Sequence, residues 1–234
     1  MVKVKICVLK RVADAEMLNE LRPDFAGFIF APSKRQISLE QALQIRAALI
    51  DAIPAVGVFV NEPIENIVAI VESRAIQIVQ LHGDEDNTYI EELGKRITLP
   101  IIKAVAVKDA ADVKKEYAAD ILLYDTYQSG VAGGTGMTFN WDLLKEAAHP
   151  FFLAGGLHAG NLEAAIQQVQ PYAVDISSGV ETDGVKDFEK IRAVMEIIGR
   201  SKNDKLFWST WGTVHSRNVD ERLLGTVGSF FPIQ

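Results

Sequence analysis

FFLAGGLHAGNLEAAIQQVQPYAVDISSG, residues 151–179, holds the pattern that decides the fold. Phe151–Ala154 and Ala173–Ser177 are short apolar runs of strand length, and Asn161–Gln168 between them is amphipathic at helical spacing. Each run ends in a glycine-containing turn, Gly155-Gly156 after the first and Ser178-Gly179 after the second. One unit of strand, turn, helix and strand is thus written out in full, and the rest of the chain repeats it.

Toward the N-terminus the same reading predicts strands at Val2–Leu9, Phe25–Phe30, Ala55–Val60, Ile76–Leu81, Pro100–Val105 and Ile121–Asp125. They are rich in Val, Ile and Phe and apolar throughout rather than alternating, the mark of strands buried on both faces. Helical stretches lie between them at Ser38–Ile50, Pro63–Ser73, Glu85–Lys95 and Trp141–Ala148. Ile64, Ile67, Val68 and Val71 recur at i, i+3, i+4 and i+7, one apolar helix face. Ser38 with Gln41 has capping-box spacing, and Pro63 suits a first helical turn. Composition alone admits a doubly wound open sheet. Eight strand–helix units closing near Arg200 with no sheet edge left over favour a single (β/α)8 TIM barrel over residues 1–200. Residues 201–234 form a C-terminal extension without clear periodicity. It contains Trp208, Trp211, Phe230 and Phe231, so part of it is expected to pack.

Composition removes several function classes. The net charge of −7 supplies no basic field for nucleic acid or anionic lipid, so a phosphate must be held locally. Cys7 is the one cysteine, which excludes an internal disulfide and a thiolate-rich metal site. MVKVKICVLKR is too charged for a signal h-region or membrane span, so a cytoplasmic protein is expected.

Barrel enzymes carry their reactive groups at the carboxyl ends of the strands. Those positions hold Cys7, Lys34 and Arg35, His82, Asp125 with the glycine-rich loop Gly130–Gly136, and the two turns after strands seven and eight. The two turns let backbone N–H groups converge on an anion, where barrel enzymes commonly bind phosphate. A lone cysteine is most often a small buried hydrophobe. Yet a thiol's ordinary pKa of about 8.5 suits a general base. Asp125 closes an apolar run and either caps a turn or faces the barrel mouth. Taken together, the two residues form a plausible acid–base pair. His82 has no second histidine nearby and zinc takes three or four ligands, so no metal is expected. His149, His158 and His215 read as surface residues.

Several segments resemble the ordered motifs of phosphoribosylanthranilate isomerases over roughly residues 3–199. They are Lys5-Ile6-Cys7, Gly27-Phe28-Ile29-Phe30 with Ser33-Lys34-Arg35, Gly57 to Asn61, and Gln80-Leu81-His82-Gly83-Asp84-Glu85. Gly133 to Gly136 with Phe139-Asn140-Trp141, Leu153 to Leu157, and Val174 to Glu181 complete the series. The resemblance implies an Amadori rearrangement of a phosphoribosyl-amine with no cofactor. It implies Asp125 as general acid, Cys7 as general base, Arg35 at the anthranilate carboxylate, and His82 and Asp175 lining the pocket. It also implies that Gly155, Gly156, Ser178 and Gly179 hold the phosphate. The expected partner is a small phosphorylated substrate, with no nucleic acid or membrane, and the expected assembly is a monomer or homodimer. One departure stands out: the family has glycine after the cysteine, and this chain has Val8. A β-branched residue there is expected either to adopt a β conformation or to crowd Cys7. That leaves two further readings open, a barrel that binds its phosphosugar without turning it over, and another cofactor-free phosphosugar isomerase or epimerase.

Overall fold

A computed structural model of the chain describes residues 2–126, 140–147 and 150–201. Eight parallel strands form a closed barrel in sequence order: β1 (Lys3–Cys7), β2 (Phe25–Ile29), β3 (Ala55–Phe59), β4 (Ile78–Leu81), β5 (Ile101–Val107), β6 (Ile121–Thr126), β7 (Phe151–Leu153) and β8 (Ala173–Ile176). Pairing of Lys3, Val4, Lys5 and Ile6 with Ala173, Val174, Asp175 and Ile176 joins the first strand to the last. This excludes an open sheet. The eight expected strands are all present, with their ends moved by a residue or two. The glycine-rich loop Gly130–Gly136, His149, His215 and residues 202–234 lie outside the described residues.

Helices α1 (Val12–Leu21), α2 (Leu39–Ala48), α3 (Ile64–Glu72), α4 (Asn87–Arg96), α5 (Ala110–Val113), α6 (Leu162–Val169) and α7 (Phe188–Ser201) cover the outside. Ser38 caps α2 as its spacing predicted, accepting from the Gln41 amide while Gln41 Oε1 accepts from the Ser38 amide. Pro63 sits one residue before α3 rather than inside its first turn. Ile64 and Ile67 bury the face read from periodicity, with Val68 and Val71 half-buried beside them. The stretch expected as a helix at Trp141–Ala148 is a tight 3₁₀ segment, Trp141–Glu146, closed by an Ala147 amide to Leu144 carbonyl bond. A short hairpin, β9 (Glu181–Thr182) with β10 (Val185–Lys186), follows β8 and leads into α7. Among the described residues no helix is long and apolar enough to cross a membrane.

Alternation along a strand sends every second side chain into the barrel. Phe25, Val56, Ile78, Ile102, Ile121, Phe152 and Ala173 form an inner apolar cluster on that parity. The opposite parity packs on the helices in a larger core that includes Val4, Ile6, Phe28, Phe59 and Ile176. Lys103 also faces outward, where its ammonium is buried against Glu85 at 2.7 Å.

Candidate active site

Continuing the inward parity toward the strand ends replaces apolar residues by reactive ones. Leu123 is followed by Asp125, Ile78 by Gln80 and His82, and Ala173 by Asp175 and Ser177, while Lys5 on β1 is followed by Cys7. These ends line a cavity of about 660 Å³, together with Arg35 and the turns after β7 and β8. Cys7, Arg35, His82, Asp125, Gly155, Gly156, Asp175 and Ser178 all contribute to its wall. Gly179 does not. It packs behind, where an added Cβ would lie 1.9 Å from the Leu157 carbonyl oxygen, so its missing side chain lets the β8 turn approach the β7 turn. His158, read as a surface residue, is exposed.

The polar groups at the mouth are held from several sides. Gln80 Nε2 donates to His82 Nδ1 at 2.9 Å, so the neutral ring carries its proton on Nε2, which faces Asp125 Oδ2 at 3.3 Å. Glu181, on the hairpin after β8, accepts from Arg35 at 3.2 Å and from the buried Lys186 at 2.8 Å. This carboxylate ties the loop after β2 to the end of the barrel. Deeper in, fully buried Lys5 donates to Asp175 Oδ2 at 2.8 Å. Burial alone would depress the Lys5 pKa, but the charges of Asp175 and Cys7 outweigh it and leave it raised. Burial pushes the Cys7 thiol up. Lys5 opposes this, Asp175 adds to it, and Lys186 opposes it again. Gln80 Oε1, Asp175 Oδ1 and Ser177 Oγ, buried atoms of three residues that line the cavity, have no hydrogen-bond partner among the described residues. Most buried polar atoms are paired with protein or ordered water, so these three are open to a further partner.

At the β7 end, Gly155 and Gly156 have φ of 91° and 61°, left-handed values that glycine adopts without steric cost. They turn the chain at the cavity wall, and Ser178 opens a short 3₁₀ turn beside them. Sequence reading overlooked Lys5, Gln80, Ser177, Glu181 and Lys186. For Lys5 and Ser177 the signal was present, since each lies two residues along a strand from an identified site residue and so shares its inward parity.

Val8 does not take the extended conformation that was one of the two expected courses, and it packs in one small cluster with Cys7 and Val58. Its φ is 73°, so the backbone has the left-handed form that a glycine would take, and the valine adopts it at a cost of about 1–2 kcal/mol. The amides of Val8 and Leu9 both donate to the Gly27 carbonyl, at 3.0 and 2.9 Å, which ends the ladder just beyond Cys7. Because the chain path is already that of glycine, Val8→Gly is expected to leave kcat within about threefold. Relief of strain and loss of a buried side chain nearly cancel in stability, so Tm should move by less than about 4 °C. A tenfold rise in kcat would instead show that the isopropyl group crowds the thiol.

Gly27 stands opposite Cys7 in the β1–β2 register. A Cβ on it would lie 2.6 Å from the Cys7 sulfur and 3.0 Å from its Cα. Gly27→Ala is therefore expected to displace the thiol, lowering kcat about 10²-fold and stability by about 1–3 kcal/mol. Steady-state kinetics with a urea melt would read both. Full activity in this variant would mean that the sulfur's position is not critical.

Comparison with known proteins adds an independent line. The family model of N-(5′-phosphoribosyl)anthranilate isomerase matches residues 4–197. An isomerase of that name from Endomicrobium trichonymphae is 50% identical over 198 residues, covering 85% of this chain and 98% of that protein. The crystal structure of phosphoribosyl anthranilate isomerase from Thermus thermophilus superposes with a TM-score of 0.77 at 34% identity, covering 86% of this chain and all of the other. A further phosphoribosyl anthranilate isomerase, crystallised with reduced 1-(o-carboxyphenylamino)-1-deoxyribulose 5-phosphate, matches with a TM-score of 0.74 at 35% identity over 86% of this chain and all of that one.

Proposed function

The chain belongs to the N-(5′-phosphoribosyl)anthranilate isomerase family, and on that premise we propose that Asp125 and Cys7 are the acid and the base of its reaction. The reaction is the Amadori rearrangement of N-(5-phosphoribosyl)anthranilate to 1-(2-carboxyphenylamino)-1-deoxyribulose 5-phosphate, an aldose–ketose isomerisation in tryptophan biosynthesis. It needs a proton delivered at one point of the sugar and another removed nearby. Asp125 gives its proton to the ribose ring oxygen as the C1–O bond breaks, and the nitrogen lone pair forms the C1=N bond of a Schiff base. Cys7, as thiolate, takes the C2 proton, and the C2–H electron pair becomes the C1=C2 bond of an enolamine. Tautomerisation moves a proton from the C2 hydroxyl to C1 and leaves the ketone. Each step is proton transfer, so the residues of the mouth suffice and no cofactor is invoked.

One observation supports these roles above the others: a thiol and a carboxyl from non-adjacent strands open into the same cavity as two glycine-rich turns. The crystallised relative with a reduced product analogue supports a phosphorylated ligand there. Gly155, Gly156 and Ser178 would hold its phosphate, with Gly179 bringing the second turn within reach. Arg35 would meet the anthranilate carboxylate with the face of its guanidinium not engaged by Glu181, since a planar fork suits a carboxylate. His82 and Asp175 would line the sugar's path. Residues 1–200 would form the complete isomerase domain, the following extension being dispensable, in a cytoplasmic monomer or homodimer.

The test is the decay of anthranilate fluorescence with N-(5-phosphoribosyl)anthranilate as substrate. The full-length chain and a chain ending at Arg200 should turn over alike, and Cys7→Ala should lose about 10²–10⁴-fold in kcat. A folded Cys7→Ala enzyme with full turnover would remove the assigned base.

A further inference from the structure

We propose that Lys5 is a positioning residue for this reaction: its buried ammonium, fixed by Asp175, offsets the burial of Cys7 and so favours the thiolate that accepts the C2 proton. The inference rests on the reading of Cys7 as the base, and it begins from a feature that packing does not explain. Lys5 is wholly buried inside the barrel, on the parity otherwise filled by Phe25, Val56, Ile78 and Ile102. Placing an ammonium there carries a desolvation penalty that only pairing offsets, whereas a leucine would fill the space without it.

What surrounds the ammonium gives it a use. Lys5 lies opposite Asp175 in the β1–β8 register and donates to it, and it stands two residues before Cys7 on the same inward face of β1, near enough for ammonium and sulfur to act on each other. Only one oxygen of Asp175 is engaged by Lys5. The other is buried with no partner among the described residues, and Asp175 lines the cavity. The pair is therefore not a closed structural bridge. It is a fixed cation one inward position before Cys7 on β1, and its counter-ion belongs to the cavity wall.

The charged groups acting on Cys7 are Lys5 from its own strand, Asp175 from β8 and Lys186 from β10, and the facing residue of β2 is Gly27. Burial disfavours the thiolate, so the nearby cation sets how much thiolate is present near neutral pH. As Lys5 has no exposed surface, it acts through the sulfur and not by touching the substrate.

Cys7 is the only cysteine, so the pH dependence of alkylation by iodoacetamide reads its ionisation directly, without reference to turnover. Lys5→Gln should raise the sulfur's pKa by about one unit or more, slowing alkylation near neutral pH about tenfold. Its kcat should fall in step, recover at alkaline pH, and leave KM within about twofold. Asp175→Asn removes a negative neighbour and should shift the same titration the other way, speeding alkylation near neutral pH. Opposed shifts are the signature of electrostatic control, which a merely structural pair would not produce. If Lys5→Gln fails to fold, the Asp175→Asn titration alone decides. A Lys5→Gln profile coincident with the parent, an Asp175→Asn pKa that is unchanged or raised, or both variants shifting the same way would overturn the proposal. Loss of turnover in Cys7→Ala tests the base itself, so the two readings fail separately.

Discussion

Asp125→Asn should lower kcat about 10²–10⁴-fold and leave the barrel intact. The carboxyl stands near the end of β6 on the inward parity, is 7% exposed, and faces His82 Nε2 at 3.3 Å. Asparagine has the same shape and keeps an acceptor for the imidazole N–H, so neither packing nor the orientation of His82 is lost. On the proposed role of Asp125, what disappears is an acidic proton at the ring oxygen, without which the C1–O bond would break toward a bare alkoxide. The deficit should lie mainly in kcat, because the interaction is made in the transition state and not in ground-state binding. Fluorescence-decay kinetics beside a near-UV dichroism spectrum would check it. An Asp125→Asn enzyme within tenfold of the parent would sink the assignment of the acid.

The second large effect is one of stability. Glu85→Ala is expected to destabilise the fold by about 3–5 kcal/mol, read as a shift of the urea midpoint. Glu85 is buried at the start of the segment that leads into α4, and its carboxylate accepts from the amides of Asn61 and Gly83 at 2.8 and 2.9 Å and from Lys103 at 2.7 Å. Lys103 also donates to the Gly83 carbonyl at 2.5 Å. Truncating the glutamate strands a buried ammonium and two backbone donors at once. A double Glu85→Leu, Lys103→Met variant should recover only part of the loss, since it removes both charges and still leaves the two amides unpaired. Because Gly83 adjoins His82, some loss of kcat should accompany the loss of stability. A midpoint unchanged in Glu85→Ala would show that the ion pair contributes nothing net.

Strand order and closure were legible because βα units announce themselves through runs of Val, Ile and Phe bounded by glycine turns. Cys7, Asp125 and Asp175 were legible for a related reason, since they stand at or near the ends of those runs. Boundaries slipped by a residue or two where a strand's apolar character outlasts its ladder, as at Val8 and Leu9. The positive φ of Val8 could not be read from a valine, whose own preference is extended; only the family's glycine hinted at it. Glu181 and Lys186 escaped because their partners are set by a hairpin after β8 that has no periodicity to betray it. The inward parity of Lys5 was legible from Cys7, but its partner lies 170 positions away and nothing local marks that contact. The helix α7 carried a plain signal, with Ile191, Val194, Met195 and Ile198 at helical spacing.

The pairing of β1 with β8 has a further consequence for how the molecule meets its own copies. A ring of strands has no outermost member, so every staple of the ladder is spent within the chain and none is left as a template for a newcomer. Self-assembly by strand addition is thereby closed off along the whole circumference. Among the described residues, copies that meet along the barrel's girth would touch through side chains of the surrounding helices and loops, a contact that can be made and undone while every rung of the ring stays paired.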